Sequence, residues 1–233
     1  MTLKKWISSL VDVVLPRVCQ VCGTTLVEGE QVMCLECFMR LPRTGIHRNP
    51  GASQVMKFIA GAGVRRMASM FYYNKDGAYA RMLKRAKYLN HPEIDHRLAA
   101  QFASELKSEG FFDGIDMLMP VPMHWRKLIG RGYNQAEEIA YGVSDITGIP
   151  VAYNLKAVKS HSTQTRKKAE ERRSLSSDIF KVMRPDGLEN KHVLLVDDII
   201  TTGATIMACA QVLRKAVPSL RISILSLALT SQG

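Results

Sequence analysis

Val193, Leu194, Leu195 and Val196 run without a polar residue straight into two adjacent acids, Asp197 and Asp198. Four consecutive apolar residues, if a strand, are buried on both faces, as in a parallel sheet covered by helices on each side. After the acids come Ile199, Ile200, Thr201, Thr202, Gly203, Ala204 and Thr205, and then a helical pattern. A turn of this kind leaves backbone N–H groups aimed at one spot, and the helix start adds partial positive charge, which together suit a phosphate. Gly203 lets the backbone approach without a Cβ in the way, and the Thr201, Thr202 and Thr205 hydroxyls add donors. Asp197 and Asp198 stand at the carboxyl end of the strand, where open α/β sheets place ligands, and can accept hydrogen bonds from two neighbouring ribose hydroxyls. The competing explanation is that the acids cap a turn and the threonines cap the helix. Two consecutive acids behind a fully apolar strand are costly, however, without a ligand or metal. No Gly-Lys-Thr or Gly-Lys-Ser is present, so this is not a Walker loop.

The surrounding sequence supports an α/β fold in which a parallel sheet is flanked by helices. Strand signals cover 116–121, 150–158, 193–196 and 221–229, and helical periodicity covers 134–147 and 202–217. Residues 113–233 therefore read as the main domain. Residues 46–112 read as a linker, broken at Asn49, Pro50 and Gly51, leading into a helical segment that packs on the core. Helices are expected there over 78–88 and 92–107, the second with Pro92 in its first turn. There is no internal repeat.

Residues 1–45 form a third region. Four of the five cysteines lie in two pairs, Cys19-x2-Cys22 and, eleven residues later, Cys34-x2-Cys37. Each pair brings two thiolates to one metal, and two such knuckles complete a tetrahedron around Zn²⁺; four sulfurs leave no open position, so the ion is structural. An iron centre of the same geometry is the alternative. For a segment this short, metal binding supplies most of the folding energy. Cys209, in the helix after the phosphate loop, reads as a buried apolar residue.

With no export signal, paired thiols point to a reducing, cytoplasmic setting and not to a disulfide framework. Leu3, Trp6, Ile7, Leu10, Val13 and Val14 fall at helical spacing, and Asp12 and Pro16 argue against a signal peptide. No stretch has the roughly 20 apolar residues of a transmembrane helix. The formal net charge of +11 favours polyanionic partners, either a multiply phosphorylated small molecule or a nucleic acid.

Two further segments extend the site. From Met119 to Ala140, Pro120 and Pro122 stiffen a turn while Arg126, Lys127 and Arg131 crowd cations beside a helix start, which suits pyrophosphate. From His161 to Ser177, Gln164, Thr165, Arg166, Lys167, Lys168, Arg172 and Arg173 make a long basic loop between strands.

The run VLLVDDIITTGAT, thirteen residues, resembles the signature of type I phosphoribosyltransferases. In that family the two acids hold the ribose hydroxyls of phosphoribosyl pyrophosphate, bound with Mg²⁺, and the following loop holds its 5-phosphate. The resemblance assigns that role to Asp197, Asp198, Thr201, Thr202, Gly203, Ala204 and Thr205. It implies contact with pyrophosphate for Arg126 and Arg131 and a mobile hood for the 161–177 loop. Thr201 departs from the purine-salvage members, which carry an acid there, and this counts against hypoxanthine or guanine salvage. Taken with the cysteine module, MLKRAKY, PVPMHWRKLIGRGYNQA and QTRKKAEERR, the chain resembles the ComF family, whose members are associated with uptake of transforming DNA.

Two functions follow as expectations. One is a Mg²⁺-dependent phosphoribosyltransferase, in which Asp197, Asp198 and Arg131 carry catalysis by positioning and charge neutralisation. The other is a single-stranded DNA-binding competence protein, in contact with competence-machinery partners, that uses the pocket as a phosphoribose sensor. Lys84, Arg85 and Lys87 would then meet the backbone, with Tyr88 and Trp125 as stacking residues.

Overall fold

The computed structural model describes residues 16–158 and 179–231. The expected helix through Leu3–Val14 and the basic loop His161–Ser177 lie outside the described residues. In chain order the strands are β1 (Met67–Tyr73), β2 (Met117–Pro120), β3 (Leu155–Ala157), β4 (Phe180–Val182), β5 (His192–Ile200) and β6 (Arg221–Thr230). The α-helices are α1 (Leu35–Met39), α2 (Ser53–Ala62), α3 (Ala78–Tyr88), α4 (Pro92–Ser108), α5 (Trp125–Arg131), α6 (Gln135–Thr147) and α7 (Ala204–Ala216).

Among the described residues the central sheet runs β1-β6-β5-β2, and every pairing in it is parallel. Val193 to Val196 lie at its centre, between Met117–Pro120 on one side and Ile222–Leu225 on the other. Side chains alternate between two covered faces, as parallel strands require. Leu194, Val196, Leu225 and Leu227 pack with α3, α4, α6 and the cysteine module. Val193, Leu195, Ile222 and Ile224 pack with α2 and α7.

The helices form where local chemistry starts and stops them. In α4, Pro92 occupies the first turn with Glu93 and Asp95, and Ile94, Leu98, Phe102 and Leu106 make a buried stripe at helical spacing. In α6, the Asn134 side chain accepts a hydrogen bond from the Ala136 amide at 3.2 Å, and Gly148 ends the helix at φ 75°. The two helices cross closely at Gly142, where a Cβ would stand 2.2 Å from the His96 carbonyl oxygen.

Three features extend the sequence reading. Strand β1, inside the stretch read as linker and helices, pairs with β6 and forms one edge of the sheet. The Tyr72 amide donates to the Pro42 carbonyl at 2.8 Å, so the chain leaving the cysteine module covers that edge. The expected strand 150–158 divides: Val151 bridges to Leu118, extending the sheet beyond β2, whereas β3 pairs antiparallel with β4. Finally, the basic turn after Pro122 contains the short helix α5.

Candidate functional site

After β5 the chain crosses by α7 to β6; after β2 it crosses by α6 to the Val151 bridge on the opposite side. The crossovers diverge, so a crevice opens outside the carboxyl ends of β2 and β5, the position where doubly wound sheets bind ligands. A cavity of roughly 260 Å³ occupies it.

One wall is acidic. Asp197 and Asp198 both line the cavity. The Asp198 amide donates to Asp197 Oδ1 at 3.0 Å, and the Ile199 amide donates to Asp198 Oδ1 at 2.7 Å. These contacts fix both carboxyl groups. Burial, and then the neighbouring Asp198, push the Asp197 carboxyl well above the usual aspartate range. An acid in that state favours a hydroxyl-rich or cationic partner, because either stabilises the charged form.

The facing wall is basic. Lys127 and Arg131 of α5 line the cavity, and Lys87 of α3 places Nζ 4.0 Å from Asp198 Oδ2. Lys127 is solvent-exposed, yet partial desolvation beside the cavity first, and then the positive charges of Arg131 and Lys87, lower its pKa. Three cations thus crowd one region, an arrangement that an anion relieves. The sequence reading placed Lys87 in a possible strand-contacting patch and not in the pocket. No local signal could have moved it, because it is brought to Asp198 by packing of α3. Arg126, expected beside pyrophosphate, is absent from the cavity lining: its guanidinium lies 5.3 Å from the centre of the exposed Trp125 ring. Arg131 is in the lining as expected.

The loop after the acids has two roles. Thr205 lines the cavity, while Thr201, Thr202 and Ala204 are exposed beside it. Among the described residues none accepts a hydrogen bond from the amides of Thr202, Gly203 or Thr205, which leaves these donors for a ligand. Gly203 itself caps α7 in the left-handed region, at φ 77°. A Cβ there would stand 2.5 Å from Phe58 Cζ, so glycine is required by the aromatic ring beneath the loop as well as by the backbone.

Behind the pocket is a buried polar unit that the sequence did not signal. Asp95 on α4 is 1% exposed, and its carboxyl is pushed up to about 8 by burial first and by Asp198 second. The Tyr133 hydroxyl lies 2.7 Å from the Ala86 carbonyl and 3.2 Å from Asp95 Oδ2. A hydroxyl has a single hydrogen to give; a protonated Asp95 can donate to Tyr133 while Tyr133 donates to Ala86. That tie holds the residue just before Lys87. Gln135 and Asn134, at the start of α6, also line the cavity.

The cysteine module provides the second site. The sulfur atoms of Cys19, Cys22, Cys34 and Cys37 all lie within 4.8 Å of one another, with Cys22 and Cys34 3.7 Å apart. Tetrahedral zinc with Zn–S near 2.3 Å implies sulfur separations of about 3.8 Å, so the donor set fits. The Gly23 amide donates to the Cys19 carbonyl at 2.9 Å, closing the first knuckle, and the Tyr79 hydroxyl donates to the Cys37 carbonyl at 2.8 Å, tying the second to α3. Cys209 is fully buried in α7, as expected.

Comparison with known proteins agrees with the geometry. The phosphoribosyl transferase domain model matches residues 86–232. Competence protein F of Haemophilus influenzae is 31% identical over 139 residues, covering 58% of this chain and 61% of its own length. Competence protein ComFC of Bacillus subtilis is 27% identical over 150 residues, covering 64% and 58%. A purine phosphoribosyltransferase from Pyrococcus horikoshii superposes with a TM-score of 0.36 at 20% identity, over 59% of this chain and 76% of that one. The chain spans about three-fifths of the length of the two competence proteins. The resemblance to the ComF family read from the motifs is borne out by these relatives.

Proposed function

The chain belongs to the phosphoribosyl transferase domain family, and from that premise we propose that its pocket binds phosphoribosyl pyrophosphate with Mg²⁺ and transfers the phosphoribosyl group to a nitrogen nucleophile. The observation that carries this reading is the pairing of walls: Asp197 and Asp198 face Lys127 and Arg131 across one cavity at the switch point. The acids suit a ribose diol and the cations suit a diphosphate, so one ligand satisfies both.

In this scheme Asp197 and Asp198 accept hydrogen bonds from the two ribose hydroxyls and set C1 toward the acceptor. The free amides at Thr202, Gly203 and Thr205 hold the 5-phosphate. The bond from C1 to the diphosphate oxygen breaks, its electron pair leaves with pyrophosphate, and the acceptor nitrogen forms the new bond and releases its proton to solvent. Lys127 and Arg131 neutralise the leaving charge. Bound Mg²⁺ would add charge neutralisation at the diphosphate. Zn²⁺ in the four-cysteine module has a structural role in this reading, and the four thiols suit a cytoplasmic location. The names of the relatives support a setting in competence.

The test is pyrophosphate release with phosphoribosyl pyrophosphate and Mg²⁺ over a panel of nucleobases and amines. Release that depends on one acceptor, and that falls by at least about a hundredfold in Asp198→Asn, supports the reading. No release above background with every acceptor argues against turnover.

A second reading has its own observation. Tyr88 and Trp125 are exposed at 72% and 57%, so neither is committed to the core, and Arg85 is exposed beside Tyr88. Single-stranded DNA could stack on such rings while cations meet its backbone, a mode of binding that carries little base preference. Salt-sensitive retention on single-stranded DNA that survives Asp197→Asn plus Asp198→Asn would support this binder, with competence proteins as its partners.

A further inference from the structure

Gln135 opens α6, a helix of thirteen residues, and the residue is 3% exposed. The Arg131 guanidinium donates to Gln135 Oε1 at 3.3 Å, which fixes the amide orientation and leaves Nε2 as the free end. Nε2 is buried and has no hydrogen-bond partner among the described residues. A buried N–H without an acceptor is costly, and such groups in a native fold require an explanation. This one belongs to the wall of the ligand cavity, beside Lys127 and Arg131.

The neighbouring cations are also unspent. Among the described residues neither Lys127 nor Arg131 reaches a carboxylate within ion-pair distance, and Lys87 meets Asp198 only at 4.0 Å. Lys127, though exposed, is held below its ordinary pKa by partial desolvation first and by the charges of Arg131 and Lys87 next. The wall therefore offers several donors for which Gln135 Oε1 is too little acceptor, and what completes it is an oxyanion with more than one oxygen to share.

We propose that Gln135 is a ligand-contacting residue whose side-chain amide donates to an oxygen of the diphosphate group, making the pocket select a phosphoribosyl diphosphate over a phosphoribosyl monophosphate. This rests on the function proposed above and adds the residue that reads the diphosphate. A 5-phosphate bound at the Thr202–Thr205 amides does not need Gln135, because those donors lie on a different loop. Gln135 thus distinguishes ligands by what they carry at C1.

Calorimetric titration in Mg²⁺ of the full chain with inorganic pyrophosphate, phosphoribosyl pyrophosphate and ribose 5-phosphate tests this. Gln135→Leu keeps the size and deletes both the free donor and the acceptor for Arg131, whereas Gln135→Glu deletes the donor alone. Gln135→Leu should weaken pyrophosphate and phosphoribosyl pyrophosphate about tenfold and leave ribose 5-phosphate within about twofold. The ligand-free Tm should change little, since removal of the unpaired buried donor offsets loss of the Arg131 hydrogen bond. Gln135→Glu keeps the acceptor for Arg131 and places a carboxylate against the diphosphate, so it should weaken both diphosphates more strongly still. Unchanged pyrophosphate affinity in both variants overturns the inference, as does an equal loss for all three ligands. If the unaltered protein binds pyrophosphate but not phosphoribosyl pyrophosphate, the proposed function fails while the pyrophosphate arm still decides the role of Gln135. If it binds neither, both fail.

Discussion

Lys87 Nζ stands 4.0 Å from Asp198 Oδ2, joining a helix from the first half of the chain to the acidic pair at the end of the central strand. Both side chains are 22% exposed, so the pair lies at the cavity wall and not on the open surface. Partial burial reduces screening, and a charge here is felt by whatever binds between the two. Lys87→Met should weaken phosphoribosyl pyrophosphate by about three- to tenfold while changing stability by less than about 1 kcal/mol. Titration and denaturant unfolding of the variant check the two halves of that statement.

Asp95 makes stability depend on pH in a stated direction. Its ordinary pKa is 3.8 and in the fold it is pushed up to about 8, by burial first, then Asp198, with Glu138 acting the same way and Lys87 opposing. Below the ordinary value both folded and unfolded chains hold the proton and the contribution is complete. As pH rises the unfolded chain releases its proton first, so stability is lost progressively until pH passes about 8. Asp95→Asn should remove this decline. Urea unfolding between pH 6 and 9 should show a flatter profile for the variant and a gain over the parent at pH 8; parallel profiles would show that Asp95 is not the group responsible.

Gly142→Ala should destabilise the fold by about 2–3 kcal/mol, since the new Cβ would stand 2.2 Å from the backbone oxygen of His96 and the two helices must separate. The readout is the midpoint of denaturant unfolding. A loss under about 0.5 kcal/mol would mean that the crossing of α4 and α6 is looser than described.

Phe58 and Gly203 should couple. Gly203→Ala meets both the ring of Phe58 and an unfavourable φ of 77°; relief of the ring contact by Phe58→Ala should recover part of the loss, and the left-handed strain of about 1 kcal/mol should remain. A double-mutant cycle on stability separates the two, and phosphate binding by each variant shows whether the loop geometry survives.

The four-cysteine module should contain one zinc per chain by elemental analysis. Cys37→Ser should lose the metal and loosen the contact with Tyr79, whose hydroxyl donates to the Cys37 carbonyl. Retention of full metal content by that variant would contradict a four-sulfur site.

The readable parts of the fold were those set by local chemistry. Val193 to Val196 announce a doubly buried strand because no solvated face interrupts them, and the pair of acids that follows marks its carboxyl end. The cysteine spacing is likewise local, and the four sulfurs do converge. Strand β1 was missed: Phe71, Tyr72 and Tyr73 favour a strand, but Met67, Ala68, Ser69 and Met70 do not announce one, and pairing with β6 and the Pro42 carbonyl takes up its backbone groups. Helix α5 escaped notice because none of its residues is buried, so it presents no apolar stripe to recognise. Its presence decides which cations face the cavity, placing Lys127 and Arg131 in the wall and Arg126 over Trp125. Lys87, Asp95 and Gln135 reach the site only through packing of α3, α4 and α6, and tertiary contacts of that kind have no short-range signature.

The most direct test is isothermal titration of the full chain with phosphoribosyl pyrophosphate, with and without Mg²⁺, beside the Asp197→Asn plus Asp198→Asn variant. The expected result is saturable binding that needs Mg²⁺ and is lost in the variant, whose ligand-free stability at neutral pH is equal or higher because the raised Asp197 carboxyl no longer opposes folding. Binding of equal strength in both proteins, or none in the unaltered chain, would contradict it.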